Sequence, residues 1–423
     1  MKLVFAIWAA SLFLAPIHAA SPEDMASFDK VWQTIKDRHW NLEATGVDWA
    51  AMKEKYRPKA EKAENRTELH DVINGMIGEL GQSHFHVYGS GSFNELEGLV
   101  GDFSEGGPGT LGIQVALVDD QVYVVDLTDE AAKQGLSVGC RILELQGKPL
   151  APVVTKIKDV YSSVAQSRLY LTRTLNSLFE DFPGKTKKLK VADGGKTFEV
   201  SLTTSKPAGE PKQLLNLPTI YFEYESRVLP SNVGYMAFNV FIPEVKTRFD
   251  NETLKTFAET DGMIIDLRGN GGGIGFIAVA LANRLLSENA KLGVMNNTGG
   301  SLNFAVFPQK PIYDKPLAVL IDGGSASTSE IFAAGLQDLG RARVFGTRSA
   351  GAALPSIIEL LPNGDRFQYA IADYVSEGGR HLEGNGVKPD EETPHTAKSL
   401  GHKQDAAMEA ALAWIRAQKG KSG

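Results

Sequence analysis

Apolar residues recur every three or four positions in the first part of the chain. Phe28, Val31, Trp32 and Ile35 form one stripe, and Leu69, Val72, Ile73 and Ile77 form another. A helix that buries one face has this spacing, so residues 24–80 are expected to be helical. Val47-Asp48-Trp49 reads as a helix start with Asp48 as its cap. The period changes to a strand-like alternation at Gly81-Gln82-Ser83-His84-Phe85-His86-Val87-Tyr88. There His84 and His86 are expected to point to one side.

Residues 89–109 are rich in glycine and serine and read as a loop. A small unit follows. Leu111 to Val115 and Val122 to Val125 read as strands about an Asp119-Asp120 turn. Ala131 to Leu136 is a short helix closed by Gly135, and Ile142 to Gly147 is a further strand and turn. Helical patterning returns over 152–178, and Thr197 to Leu202 is a strand. Residues 205–231 hold four prolines and little periodicity, which suggests an interdomain linker. From Val233 onward strands alternate with helices. Met263 to Leu267 and Leu317 to Ile321 are strands; Phe276 to Leu286 and Glu330 to Leu339 are helices. That order predicts an α/β layer with buried, largely parallel strands. The last helix, Gln404 to Ala417, carries Ala407, Ala411 and Ile415 on one face and is expected to dock on the core.

With 423 residues the chain exceeds one ordinary core. The expected division is 1–20, 21–92, 100–205, a linker at 206–230, and a core at 231–423. A net charge of −7 without a long basic run argues against nucleic acid as a partner. In the first segment Lys2 is the only charge. An apolar run from Leu3 to Leu14 follows, then Pro16-Ile17-His18-Ala19-Ala20. The run is shorter than the roughly 20 residues that span a bilayer. It reads as a secretory signal cleaved near Ala19 or Ala20, leaving an exported protein without stable membrane insertion. The lone Cys140 cannot form an internal disulfide and is expected to pack in the core.

Four segments carry candidate chemistry. In Leu317 to Phe332 a buried strand runs through Asp322-Gly323-Gly324-Ser325-Ala326-Ser327 into a helix. A serine in such a turn lies beside unpaired backbone N–H groups, which stabilise an oxyanion. Equally, Ser327 and Glu330 fit a capping box with no chemistry. Asp266 to Gly273 is a glycine-rich turn after another strand. Its spacing fails the dinucleotide pattern, which needs glycine at Ile274 or Phe276, and no Gly-Lys-Ser/Thr follows. A second oxyanion donor or a plain tight turn remains. Ser83-His84 supplies a candidate base. Together His84 and His86 also suggest a metal pair, though without a third ligand nearby. Gly378 to Asp390 is a surface turn offering His381 and Glu383.

Taken in order, the four segments resemble the C-terminal processing and tricorn core peptidases, serine peptidases of the S41 type. The resemblance runs from about Phe28 to the C-terminus. It implies an α/β, crotonase-like (ClpP/crotonase-type) catalytic core with an N-terminal helical region and an inserted PDZ-like domain. The PDZ pattern is carried by Gly112 to Gly147, where Cys140 stands in place of an aspartate. By the resemblance Ser327 is the nucleophile, and the oxyanion donors are the amides of Thr328 and of Gly272 or Gly273. The processing branch pairs its serine with a lysine about twenty-five residues later. Here that position is Ala352, and Arg348 cannot serve because its guanidinium stays protonated. The tricorn branch uses histidine instead. That resemblance makes His84 the base, Ser83 its orienting partner and Glu383 the support of Ser83.

The expected activity is acyl transfer from a peptide or protein substrate through an acyl-enzyme, with no cofactor and no metal. Two alternatives stay open: a non-catalytic protein binding peptides or apolar ligands on the same fold, and a metal-dependent hydrolase at His84 and His86. The PDZ-like unit suggests capture of peptide termini by strand addition.

Overall fold

The structure, a computed structural model, describes residues 20–89, 109–161, 167–213 and 219–419. The expected signal segment lies outside them apart from Ala20. No helix among the described residues is long and apolar enough to cross a membrane.

The N-terminal region is helical, with helices Pro22–Arg38, Trp49–Ala60 and Arg66–Gly78. Each starts at a polar cap. Ser21 accepts the Asp24 N–H, Asp48 that of Ala51, and Asn65 that of Glu68. These bonds satisfy amides that the helix leaves unpaired. The apolar stripes face inward, but their partner is distant in sequence. Phe28, Val31, Ile35, Leu69 and Ile73 share a core with Leu354, Leu361, Phe367, Tyr369 and Ala370. Most of the latter belong to the hairpin of strands Ser356–Leu360 and Arg366–Ala370. Strand His86–Tyr88 adds to that hairpin antiparallel, with Val87 opposite Phe367. Outside this core, Arg38 Nη1 meets Glu359 Oε1 at 2.8 Å and His70 Nε2 meets Asp365 Oδ2 at 2.8 Å. The Ser83-His84 segment is thereby fixed to the C-terminal half.

The inserted unit is built on strands Ile113–Val118, Gln121–Leu127, Arg141–Leu145, Thr186–Asp193 and Lys196–Thr203, in that sheet order. Helices Leu150–Tyr161 and Ser167–Ser177 belong to the same unit. Cys140 is fully buried in the core of this unit. Strand Ile113–Val118 is a sheet edge, and part of it is already occupied. The Asn176 side chain accepts the Val115 N–H at 2.9 Å and donates to the Val115 carbonyl at 3.2 Å. These are the groups an added strand would use.

Where prolines suggested a linker, the chain forms strands. Glu210–Lys212 pairs with Ile220–Phe222, and Tyr224–Val228 lies antiparallel to Gly234–Phe238. The prolines at 207, 211, 218 and 230 flank residues 220–228, whose backbone donors remain available. Tyr224–Val228 is an edge strand with polar, exposed residues, so it lacks the apolar pattern of a central strand.

The core sheet runs Tyr224–Val228, Gly234–Phe238, Met263–Asp266, Leu317–Ile321, Arg343–Gly346, Glu391–Glu392. Every pairing after the first is parallel. All residues of Met263–Asp266 and Leu317–Ile321 are buried, as expected of strands covered on both faces. Helices Gly275–Ala282 and Thr328–Asp338 supply buried residues to one large core with these strands. Helix Ala406–Lys419 packs Ala407, Ala411 and Ile415 against Ile264, Ala318 and Leu320 in a separate cluster. The loops after Asp266 and Ile321 open at the carboxyl ends of adjacent parallel strands, where α/β folds place ligands.

Candidate active site

The turn after Leu317–Ile321 separates its three serines. Ser325 Oγ donates to the Leu267 carbonyl at 2.7 Å, and Ser329 Oγ donates to the Asn270 carbonyl at 2.9 Å. Both are fully buried and used in holding loops together. Ser327 is partly exposed, although residues 324–326 and 328–330 around it are buried. Its backbone sits at φ 55° and ψ −116°, where a side chain with Cβ is strained. A sharp strand-to-helix turn of this kind lifts one hydroxyl clear of the loop.

The glycine-rich loop is fitted against this turn. Gly269 N–H donates to Asp322 Oδ1 at 2.9 Å, and Ala326 N–H donates to the Asn270 carbonyl at 3.0 Å. Thr328 Oγ1 donates to the Gly273 carbonyl at 2.9 Å. A Cβ on Gly272 would stand 2.7 Å from Ser327 Cβ and 3.0 Å from the Thr328 nitrogen, so only glycine permits the approach. The fully buried Asn270 organises the loop. Its amide donates to the Phe238 carbonyl at 2.6 Å, and its Oδ1 takes the Gly272 N–H at 2.9 Å. Among the described residues, the N–H groups of Gly273 and Thr328 have no acceptor.

Glu330 locks the turn from below. Its Oε1 accepts from Ser349 Oγ at 2.5 Å and Gly351 N–H at 2.8 Å. Its Oε2 accepts from Ala352 N–H at 2.9 Å and Ser327 N–H at 3.1 Å. Burial pushes this carboxyl up to about 7 despite the four donors. The Ser327 N–H also donates to the Ala352 carbonyl at 2.8 Å. Ala352, where the processing branch would carry lysine, is buried backbone support.

On the other side, Glu383 Oε1 accepts the Ser83 N–H at 2.7 Å and Oε2 accepts Ser83 Oγ at 2.8 Å. Oε2 also takes the Ala353 N–H at 3.1 Å. Ser83 Oγ lies 2.7 Å from His84 Nδ1. A hydroxyl has one proton. With that proton given to Glu383, the oxygen accepts from Nδ1–H, and Nε2 keeps its lone pair. Burial, with the charge of Arg173 second, pulls the imidazole down to about 4, so it is neutral at pH 7. Burial raises Glu383, against its three donors. His84 and Ser327 share no hydrogen bond among the described residues. The two halves meet through adjacent residues, Ala352 bonded to Ser327 and Ala353 bonded to Glu383.

The expected alternation of His84 and His86 on one strand does not hold. The strand begins at His86, and His84 lies in the bend before it at φ 60°. His86 instead neighbours Asn74 and Tyr88. The described residues hold no group of three or more His, Cys, Asp or Glu side chains suited to a metal. His381 is exposed and paired with Asp373. Arg348 donates to the Asn385 carbonyl. Sequence reasoning treated Glu330 only as a cap and did not single out Asn270. The helical patterning over 152–178 anticipated the helix Ser167–Ser177 but not that it reaches the site from the inserted unit. Leu169 packs with Ala326, Ala350 and Ala352.

Residues 232–393 match the peptidase family S41, and residues 21–78 match the tricorn protease C1 domain. A probable CtpA-like serine protease of Staphylococcus aureus is 24% identical over 328 residues, covering 75% of this chain and 58% of that protein. The chain therefore spans little more than half the length of that relative. The carboxyl-terminal-processing protease of a Picosynechococcus species is 23% identical over 398 residues, covering 90% and 87%. Among solved structures, the photosystem II D1 C-terminal processing protease superposes with a TM-score of 0.56 at 20% identity, covering 93% of this chain and 97% of that one. Fold and comparisons define the class, a mixed α/β protein built like the S41 proteases. The chain carries a peptidase family S41 domain over residues 232–393 and a tricorn protease C1 domain over residues 21–78.

Proposed function

We propose that this protein is an exported serine peptidase whose nucleophile is Ser327 and whose base is His84. The observation that carries the reading is the isolation of Ser327: a strained, reachable hydroxyl between two buried serines already committed to backbone carbonyls. His84 Nε2 takes the Ser327 proton as Oγ attacks a peptide carbonyl carbon. The anion that forms is held by the Thr328 N–H and a glycine N–H. Gly273 suits that role better than Gly272, whose N–H is engaged by Asn270. His84 returns the proton to the departing amine, leaving an ester on Ser327. Water, deprotonated by His84, then releases the acid. Ser83 and Glu383 hold the imidazole with Nδ1 protonated. His84 and Ser327 are not hydrogen-bonded in this geometry; such bonds often tighten only with substrate.

The same reading takes the core as crotonase-like and the inserted unit as PDZ-like, with the signal removed near Ala19 or Ala20. Strand addition at Val115 would require Asn176 to leave first. The test is labelling of purified protein with a serine-reactive phosphonate, alongside peptide hydrolysis. Wild type should be labelled at Ser327, and Ser327→Ala should lose both label and hydrolysis while keeping its unfolding midpoint. Unchanged hydrolysis by Ser327→Ala would remove the assignment. An unlabelled, inactive wild type would favour the non-catalytic peptide- or apolar-ligand-binding alternative.

A further inference from the structure

His39 is a buried histidine that the reaction leaves unused, and it touches the chain on both sides of Ser83-His84. It caps helix Pro22–Arg38, its N–H donating to the Ile35 carbonyl at 3.1 Å. The Asn41 N–H donates to His39 Nδ1 at 3.1 Å. A ring nitrogen that accepts carries no proton, so the proton of the neutral imidazole sits on Nε2. From there it is donated to Gln82 Oε1 at 2.8 Å. Burial pulls this imidazole below its ordinary range, against the opposing effect of the Gln82 bond, and keeps it neutral at pH 7. The ring faces are used as well. Trp40 and Phe85 stack on His39 with centroids 4.3 and 5.5 Å away, both planes inclined by 11°. Gln82 and Phe85 are the residues immediately before and after Ser83-His84.

The base needs such a hold. His84 sits at φ 60°, a conformation that a residue with Cβ keeps only where its surroundings over-determine it. Glu383 grips Ser83 from the core. A second grip, from a different element, closes on the two flanking residues. The helix that carries His39 is itself well anchored. Trp32 Nε1 donates to the Trp49 carbonyl at 2.8 Å and Trp49 Nε1 to the Trp32 carbonyl at 2.9 Å. Arg38, next to His39, is bonded to Glu359 of the distant hairpin. We propose that His39 is a positioning residue for the base, holding Gln82 by a hydrogen bond and Phe85 by stacking so that the His84 imidazole keeps its conformation and stays out of water. His39 touches neither substrate nor reacting atoms and acts only through its neighbours. A general base displaced by about 1 Å can lose on the order of 100-fold in rate. The second consequence is electrostatic. Burial, with the charge of Arg173 second, holds the His84 imidazole at about 4. A segment free to swing admits water and returns it toward the ordinary value of 6.5.

The inference rests on the peptidase reading, and the experiment separates the two. His39→Ala removes both contacts, and His39→Gln restores a donor for Gln82 without the ring. Gln82→Ala removes only the hydrogen bond, from a half-buried side chain, and stands in by the same criteria where His39→Ala does not fold. Peptide cleavage and urea unfolding are measured for each purified full-length protein. In a Ser327→Ala background the histidine Cε1–H resonances are titrated by NMR, with His84 assigned by its loss in His84→Gln. His39→Ala should lower kcat about 10-fold and leave KM within about twofold. The His84 resonance of the parent should hold its neutral position down to about pH 5, and in both alanine variants it should titrate between about pH 5 and 6.5. The acid limb of kcat/KM should move the same way, and His39→Gln should fall between parent and His39→Ala. A fold that is merely weakened leaves the His84 midpoint where it was. An unmoved midpoint in the alanine variants, a loss confined to KM, or a fall in kcat that only tracks the unfolded fraction overturns the inference. If the wild type cleaves nothing, the peptidase reading fails alone. The His84 midpoint then decides the matter for His39, and an unmoved one overturns it.

Discussion

Replacing Glu330 by glutamine tests the physical account of the nucleophile turn. The carboxylate is fully buried and accepts from Ser349 Oγ, Gly351 N–H, Ala352 N–H and Ser327 N–H. A glutamine can present its oxygen to one pair only. The better orientation keeps the oxygen on Ala352 and Ser327 and turns the NH2 toward Ser349, whose hydroxyl can accept. The buried Gly351 N–H then has no acceptor, at a cost of about 1–3 kcal/mol. A second contribution depends on pH. The folded carboxyl titrates at about 7, against 4.5 for an ordinary glutamate. Between those values the folded state binds more protons than the unfolded state, so stability falls as pH rises and levels off above 7. The shift corresponds to on the order of 3 kcal/mol. Glutamine cannot titrate. Urea unfolding from pH 4.5 to 7.5 should therefore show Glu330→Gln less stable at the acid end, with the deficit shrinking or reversing toward pH 7.5. All other groups cancel in the difference. Parallel curves for the two proteins would refute the reasoning.

Three further outcomes are expected. With His84 pulled down to about 4, the acid limb of kcat/KM should lie near pH 4, and activity should persist at pH 5; a limb near 6.5 would contradict the desolvated, neutral base. Glu383→Gln keeps the shape but lacks one of the two oxygens that accept from Ser83 and Ala353, so kcat should fall about 10- to 100-fold with little change in KM. Loss confined to KM would place Glu383 in substrate binding instead. Phe367 is fully buried between the N-terminal helices and the hairpin, opposite Val87. Phe367→Ala should cost about 3–5 kcal/mol by urea unfolding. It should also depress activity at temperatures where the bulk of the protein is still folded, because His84 hangs from the paired strand; activity that tracks only global unfolding would count against this.

Much of the chain was legible locally. The helical stripes at Phe28 to Ile35 and Leu69 to Ile77, the cap at Asp48, and the buried strands before Asp266 and Ile321 all follow from periodicity and capping chemistry, which act over a few residues. The two loops that hold Ser327 and the glycines were visible for the same reason. Other features were decided by tertiary structure. Polar edge strands such as Tyr224–Val228 carry no apolar alternation to read. The bend that takes His84 out of line with His86 is set by Glu383, three hundred residues away, through two bonds to Ser83. Among Ser325, Ser327 and Ser329, local pattern sees three similar hydroxyls, and only the resemblance to the S41-type peptidases pointed to Ser327. Packing commits two of them to the carbonyls of Leu267 and Asn270 and leaves the third strained and reachable. Local pattern thus determined where a reactive turn was to be found. Which of its atoms are free depended on long-range hydrogen bonds and on where a helix from another unit docks, neither of which local periodicity reveals.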